Sequence, residues 1–374
     1  MDSGSQRWGS GGMPTRMDQV VPFFANRDAI GAHTLHVQDI LHEMGIESSI
    51  YAGGWLPEVK HLVKPVDRLK SSSTGDSWIL YQFSIGSPLF NAVASYPGSK
   101  VIDYHNITPA ELIEPWEPLV GEEVRIGRQQ LANLAPYVRG ALGDSSYNVK
   151  ELIAAGYSST AVAPLLVDLS SFDAEEDSRL ARRLREERQR GGCDWLFVGK
   201  VSPHKAQHDI VKALAVYRKV YDPQARLHLV GGELSPRYGQ ALRAYIARLG
   251  LTDAVELAGS VSQSALATYY ANVDVFVSCS EHEGFCAPIL EAMYHRLPVV
   301  AYAVAAVPET VEDAGILLKD KSPAVVAAAV HKVLTDEQLR SSLSDQAARR
   351  AKELDLSVSK GKFRQALEAL FQQR

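Results

Sequence analysis

Two glutamates eight positions apart, Glu283 and Glu291, lie in the stretch EHEGFCAPILEAM. Pro288 between them suits the first turn of a helix. Phe285, Cys286 and Ala287 would then present amide N–H groups that lack an intrahelical partner, and such groups bind anions. Glu283 precedes the helix, and Glu291 lies about one turn inside it. A carboxylate accepts hydrogen bonds from hydroxyls, so Glu291 suits a vicinal diol such as that of a ribose. One glutamate near a helix start would only favour the helix dipole, worth roughly 0.3–1 kcal/mol. Two of them, with Gly284-Phe285 and Pro288 at these places, point to a site.

Other stretches supply weaker signals. In FVGKVSPHKAQHDI, Lys200 and Lys205 lie between a strand and a helix. Two ammonium groups beside helix N–H donors suit a diphosphate. Taken alone, the pair reads better as two solvated side chains, and it is not a Walker A loop. In ELAGSVSQ, backbone groups around Ser260 and Val261 are placed to read a base edge or simply to turn the chain. In FFANRDAIGAH, Gly31 stands just before a helix expected from about His33. Glycine there allows a phosphate or sugar close to the backbone, although alone it is an ordinary loop glycine. No G-x-G-x-x-G follows the first strand, so a dinucleotide fingerprint is absent. His105 in DYHN ends a strand, where a single histidine is usually structural.

The elements that must position these residues alternate along the chain. DQVVPFF, SSIYA, WILYQF, KVIDYH, GALGDSS and TAVAPLL read as strands in the first half, separated by helical patterns. A polar, charged stretch, VDLSSFDAEEDSRLARRLREERQRGG, interrupts the pattern; its arginines are interleaved with acids and read as a solvated face. The alternation then restarts with DWLFVG, ARLHLVGG, AVELAG, DVFVSCS, PVVAYAV and GILL. Strands alternating with helices imply βαβ units and parallel sheets, here two doubly wound α/β domains. Ligands of such sheets bind beyond the carboxyl ends of the strands.

Composition agrees with this class. The 374 residues are 46% hydrophobic, which exceeds one ordinary domain. The net charge is -5, with -6 in residues 1–170 and +1 in the rest, so nucleic acid is not an expected partner. Three cysteines, Cys193, Cys279 and Cys286, make no disulfide framework. No apolar run reaches the roughly 20 residues of a membrane span. The first 16 residues are Gly/Ser-rich and read as a disordered leader.

On these motifs the chain resembles the retaining glycosyltransferases of the two-Rossmann (GT-B) architecture, family GT4, the glycosyl transferases group 1. The family's E-x7-E signature is similar to Glu283 and Glu291 in EGFCAPILE. Its diphosphate loop resembles Gly199, Lys200 and Lys205, and its PE turn resembles Pro308 and Glu309. Its strand-end histidine resembles His105, its first-domain glycine loop resembles Gly31, and its entry to the linker resembles Asp168 and Phe172. Three positions depart: Lys200 replaces an arginine, Arg296 stands where glycine often ends the motif helix, and GAH lacks the usual glycine pair. The lysine supplies charge without a planar fork.

The resemblance implies two Rossmann-like domains facing each other across a cleft. They would comprise an acceptor domain over 17–170, a linker and exposed helix over 171–192, a nucleotide-sugar domain over 193–352, and a C-terminal helix over 353–374 packing toward the first domain. It implies transfer of a hexosyl group from a UDP- or GDP-sugar to a hydroxyl on a sugar, lipid-linked or small-molecule acceptor. His105, Glu283 and Lys205 would be catalytic. Lys200, Lys205, Val261, Glu283, Gly284, Phe285, Cys286, Ala287, Glu291 and Gly31 would bind the donor. His33, Asn106 and Trp116 would meet the acceptor. No cofactor and no divalent metal are expected, because there is no D-x-D and the lysines with the helix dipole replace a cation. The expected setting is cytoplasmic. The basic stretch PEVKHLVKPVDRLK (Lys60, His61, Lys64, Arg68, Lys70) suggests a weak peripheral contact with an inner membrane face. A sugar-nucleotide epimerase of the same architecture and a catalytically dead nucleotide-sugar-binding protein are the rival expectations. Oligomeric state is not encoded in any motif.

Overall fold

The structure is a computed structural model and describes residues 13–25, 28–69, 76–173 and 175–372. The chain divides into two compact units. The first comprises Met1–Ile107, Glu123–Val167 and Leu356–Arg374, and the second Thr108–Glu122 and Asp168–Asp355.

The first unit holds a seven-stranded sheet in the order β3-β2-β1-β4-β5-β6-β7. Its strands are β1 (Arg16–Val21), β2 (Ile50–Ala52), β3 (Val63–Pro65), β4 (Ser77–Phe83), β5 (Ser99–Tyr104), β6 (Gly140–Gly143) and β7 (Thr160–Val162). Every neighbouring pair is parallel. β4 is buried at all seven positions, as expected of a strand covered on both faces. Helices α1 (Ala29–Glu43), α2 (Leu89–Ala94), α3 (Pro118–Leu134) and α4 (Ser146–Ala154) connect the strands.

The second unit holds a six-stranded parallel sheet in the order β10-β9-β8-β11-β12-β13. It begins with α5 (Ser178–Gln189), then runs β8 (Asp194–Val198), α6 (Gln207–Val220), β9 (Arg226–Val230), α7 (Pro236–Arg248), β10 (Val255–Gly259), α8 (Gln263–Asn272) and β11 (Val275–Ser278). It ends with α9 (Ala287–Tyr294), β12 (Val299–Tyr302), α10 (Val307–Val311), β13 (Gly315–Leu318), α11 (Pro323–Thr335) and α12 (Glu337–Glu353). Helix α13 (Leu356–Gln372) counts with the first unit. There Phe363, Leu367 and Leu370 join the core of β1, β4 and α1. Burying side chains of this size stabilises by about 1.5–3 kcal/mol each.

Two segments sit differently from expectation. Thr108–Glu122, expected in the first domain, belongs to the second unit. Its Trp116 ring meets Tyr238 edge-on at 5.3 Å, and the Ser235 hydroxyl donates to Glu117 at 2.6 Å. The helix α5, expected as an exposed linker helix, buries Ala181 and Leu184. Asp177 caps its start, and the Asp177 amide donates to Thr268 Oγ1 at 2.8 Å. The basic stretch forms a 3-10 turn at Pro57–Leu62 and the short edge strand β3. Its Lys70 and most of the leader lie outside the described residues. No helix among the described residues is long and apolar enough to cross a membrane.

Candidate functional site

Strand order reverses between β8 and β11, so the loops leaving these neighbours meet beyond their carboxyl ends. The β8 loop carries Lys200 and Lys205, and the β11 loop carries Glu283. Lys205 Nζ lies 2.7 Å from both Glu283 carboxylate oxygens. The pair is mostly buried, with side-chain exposures of 21% and 7%. Burial opposes the Lys205 charge, yet Glu283 outweighs it and holds the ammonium above its usual range. The Glu281 amide donates to the His204 carbonyl at 2.7 Å, tying the two loops through their backbones.

Two helices start at this pair, and neither has a side-chain cap. Helix α6 starts after Ala206 and α9 after Cys286. Both preceding residues are left-handed, with φ of 47° and 70°. Helices α1, α4, α5, α7, α8 and α12 are each capped by an Asp or Ser side chain, whereas α2, α10 and α11 also lack one. A left-handed alanine or cysteine costs on the order of 1 kcal/mol and persists only where its surroundings impose it. Here the Thr310 hydroxyl donates to the Phe285 carbonyl, and the Ala306 amide donates to the Glu283 carbonyl at 3.2 Å. Thr310 and Ala306 flank the PE turn, now α10. At α6 the His208 amide donates to the Tyr238 hydroxyl at 3.2 Å and the Asp209 amide to the Ala206 carbonyl at 2.9 Å, so what this start places beside Lys205 is the positive end of its helix dipole.

Helix α9 is anchored by Ile289, Leu290, Ala292 and Met293, all 0% exposed. Ala287 and Glu291, four residues apart, share its less buried face. The Tyr270 hydroxyl donates to Glu291 Oε2 at 2.8 Å. Burial pushes the Glu291 carboxyl up to about 7, against the pull of that hydrogen bond. Gly284 is partly exposed, and Phe285 and Cys286 are buried. Lys200 is exposed and makes no ion pair among the described residues, while its carbonyl accepts from Gln207 Nε2 at 2.9 Å. Val261 lies between the end of β10 and Ser262, the cap of α8. The C-terminal edge of this sheet is tight: a Cβ on Gly231 would meet the Gly199 carbonyl oxygen at 2.2 Å. Arg296 takes φ 58°, the conformation that glycine favours.

The first unit gathers a different set. His105 follows β5 with its side chain 2% exposed. Its Nδ1 lies 3.1 Å from both Asp144 carboxylate oxygens, and its Nε2 lies 2.5 Å from Gln82 Oε1. Gln82 Nε2 donates to Gln19 Oε1, whose own amide donates to the Thr34 carbonyl. The Gln82 oxygen must therefore face His105 Nε2–H, and with Asp144 ionised Nδ1 donates too, making His105 an imidazolium; burial raises the Asp144 carboxyl and works against that charge separation. Burial opposes that charge, but Asp144 and then Asp103 outweigh it and raise His105 to about 9. His33 is 0% exposed, and its Nδ1 accepts the Leu166 amide at 3.0 Å. Its Nε2 therefore carries the proton and donates to Asp103 Oδ2 at 2.9 Å.

The other expected site residues already have partners within the protein. Both ring nitrogens of His105 are engaged, with Asp144 and Gln82. His33 is buried between Asp103 and the Leu166 amide. Asn106, at φ 75°, donates to Asn148 Oδ1 at 2.8 Å and Glu151 Oε2 at 3.2 Å within a buried network. Trp116 lies in the second unit, on the wall of a cavity of about 340 Å³ with His208, Tyr238 and Tyr245. Gly31 lies inside the first turn of α1, and its amide is held by Asp28 Oδ1 at 2.6 Å. Glycine is required there because a Cβ would sit 1.9 Å from the Ala25 carbonyl oxygen.

Ligand-type atoms of His33, Asp103 and His105 fall within 4.8 Å of one another, the spacing of a metal site. The surroundings do not fit one. A metal-bound histidine donates its other ring N–H outward to an acceptor. The other nitrogen of His33 faces the Leu166 N–H donor. Metal on Nε2 would require an imidazolate.

Residues that sequence reasoning missed are Tyr270, Asp144, Gln82 and Thr310. Each acts through a partner at least 21 residues away, and none carries a motif of its own.

Residues 185–350 match the family model described as "Glycosyl transferases group 1". The chain is 31% identical over 241 residues to a D-inositol 3-phosphate glycosyltransferase of Kineococcus radiotolerans, covering 60% of this chain and 55% of that one. It is 31% identical over 227 residues to one of Geodermatophilus obscurus, covering 58% and 49%. The chain thus spans about half the length of these curated relatives. Among solved structures it is similar to Anabaena HepE in complex with UDP and glucose, with a TM-score of 0.75, 18% identity, and coverage of 95% of this chain and 100% of that one. It is also similar to WaaG, a glycosyltransferase involved in lipopolysaccharide biosynthesis, with a TM-score of 0.70, 14% identity, and coverage of 93% and 98%. At these identities the likeness to solved structures establishes the fold, GT-B.

Proposed function

We propose, on the premise that residues 185–350 belong to the glycosyl transferases group 1 family, that this protein is a retaining, metal-independent glycosyltransferase. It moves a hexosyl group from a UDP- or GDP-sugar to a hydroxyl acceptor. The observation that carries this reading is the Lys205–Glu283 pair set between two uncapped helix starts, with Glu291 one turn inside. Lys205, Lys200 and the α6 and α9 termini take the diphosphate. Glu291 takes the ribose diol, and backbone near Val261 reads the base. The names of similar structures support a uridine donor: HepE is in complex with UDP and with UDP-glucose.

Donor binding changes the partners of Lys205. Phosphate oxygens compete with Glu283 for the ammonium, and Glu283 turns to the sugar hydroxyls. The acceptor oxygen then attacks the anomeric carbon from the face the leaving group departs. The bond from that carbon to the phosphate oxygen breaks, and the acceptor proton passes to a phosphate oxygen. Charge grows on the leaving diphosphate, where Lys205 and the helix termini stabilise it without reorganising. The acceptor, a sugar, a lipid-linked sugar or a small molecule, is assigned to the first unit. Peripheral contact with an anionic membrane through Lys60, Lys64 and Arg68 is compatible with their place around the edge strand β3.

The test is incubation with UDP- or GDP-hexoses, with and without acceptor glycosides, followed by proton NMR of the anomeric signal. A product retaining the donor's anomeric configuration, formed only with acceptor, supports the reading. Epimerised donor without acceptor would replace it with an epimerase.

A further inference from the structure

The strongest unassigned feature is a lysine outside every motif. Lys321 follows β13 and is 19% exposed. Its Nζ lies 2.8 Å from Asp209 Oδ2 and 2.7 Å from Glu281 Oε1. It also approaches the Cys279 carbonyl at 3.5 Å and lies 5.5 Å from the Tyr302 ring centroid. Asp209 lies in the first turn of α6. Glu281 lies two residues before Glu283. Lys321 therefore joins the start of one uncapped helix to the loop that leads into the other.

We infer that Lys321 is a positioning residue for diphosphate binding: it fixes the α6 start against the Glu281–Glu283 loop and neutralises two carboxylates beside the anion site. The inference rests on the donor-site reading above. Three carboxylates, Asp209, Glu281 and Glu283, stand at this edge against Lys205, Lys212 and Lys321. An anion tolerates such acids only while each is paired, because like charges repel strongly where burial lowers the dielectric. Without Lys321, Glu281 has lost a paired cation and Asp209 keeps Lys212 at 3.0 Å. The two loops also lose one of their side-chain links, leaving the Lys205–Glu283 pair and the Glu281 amide on the His204 carbonyl to join them. Lys321 touches no substrate in this account; it acts through Asp209 and Glu281.

Calorimetric titration of the full chain tests this, with UDP, GDP, ADP, inorganic pyrophosphate and the matching nucleosides as probes. Lys321→Met is expected to weaken the best-bound diphosphate about tenfold and its nucleoside less than about twofold, with Lys321→Arg restoring the affinity. Equal weakening of nucleoside and diphosphate would indicate a merely structural role and overturn the inference, as would no change. If Lys321→Met does not fold, Glu281→Gln decides. The glutamine keeps an oxygen that accepts from Lys321 while one negative charge is gone, so diphosphate binding should hold or tighten, and weaker binding overturns the inference. If the unmutated protein binds no diphosphate, the donor-site reading itself fails, a result distinct from normal binding that Lys321→Met leaves intact.

Discussion

Lys205 and Glu283, 78 residues apart in sequence, are joined by two contacts of 2.7 Å at the switch point of the second sheet. The ammonium that should meet the donor's phosphates is already satisfied by the carboxylate that should meet its sugar. On the proposed reading, donor binding would be an exchange of partners.

That exchange predicts opposite effects on binding and rate. Glu283→Ala frees Lys205, so nucleoside diphosphate affinity should hold or tighten slightly. Transfer should slow by about 10²–10³ in kcat, as for loss of a group that acts on the reacting sugar. Calorimetry with UDP or GDP beside steady-state kinetics separates the two. A marked loss of diphosphate affinity would mean that Glu283 serves the phosphates.

Glu291 should make donor binding pH-dependent. Its carboxyl is raised by burial to about 7, and only the ionised form accepts from both ribose hydroxyls. Donor affinity should therefore rise about tenfold from pH 6 to pH 8, with proton release on binding below pH 7. Because the folded-state value lies above the unfolded one, Glu291 favours the unliganded fold below about pH 4.5. That contribution fades as pH rises through about 7. Glu291→Gln should bind more weakly and show a flat profile. A flat profile in the unmutated protein would remove Glu291 from the ribose.

His105 and His33 should differ in protonation. At pH 7 His105 should show both ring N–H signals in nitrogen-15 NMR, and His33 only Nε2–H. The folded His105 value is raised from 6.5 to about 9. Its stabilisation is complete below about pH 6.5 and is lost as pH climbs through about 9. His105→Ala leaves Asp144, 4% exposed, without its cation, and should cost about 3 kcal/mol in denaturant unfolding. A neutral His105 without its Nε2–H would contradict the orientation deduced for Gln82, and one that keeps it would place the other proton on Asp144, whose carboxyl burial raises.

Gly31 should prove structural. Gly31→Ala must displace the Ala25 carbonyl and should destabilise by about 1–3 kcal/mol, with nucleotide affinity unchanged once the protein is folded. Selective loss of nucleotide binding would return Gly31 to the donor site.

On the proposed mechanism activity should also survive a strong chelator, since Lys205 and the helix termini would carry the anion. Loss of activity restored by a divalent ion would overturn the metal-independent mechanism.

Much of this was legible in the sequence because it is periodic or local. Alternating strand and helix patterns foretold both parallel sheets, and Pro288 placed the start of α9 and hence Glu291. What escaped was long-range or conformational. Nothing in the sequence around Lys321 indicates Asp209, 112 residues earlier, and Tyr270 does not announce Glu291. The left-handed turns at Ala206 and Cys286 use residues that do not favour them, so no glycine or asparagine marked them. The burial of His33 and His105 and their carboxylate partners went unseen because burial and hydrogen-bond direction cannot be read from residue type. Trp116 looked like part of the first domain because the chain leaves that unit for only 15 residues, Thr108–Glu122, before returning.

The central claim is that the second unit grips a nucleoside diphosphate through Lys205. Its most direct test is calorimetry of UDP-, GDP- and ADP-hexoses against the unmutated protein and Lys205→Met. The account predicts that one donor class binds, and that the lysine exchange weakens it by about 10²-fold while its nucleoside affinity is retained. Equal donor affinity in the two proteins would contradict it.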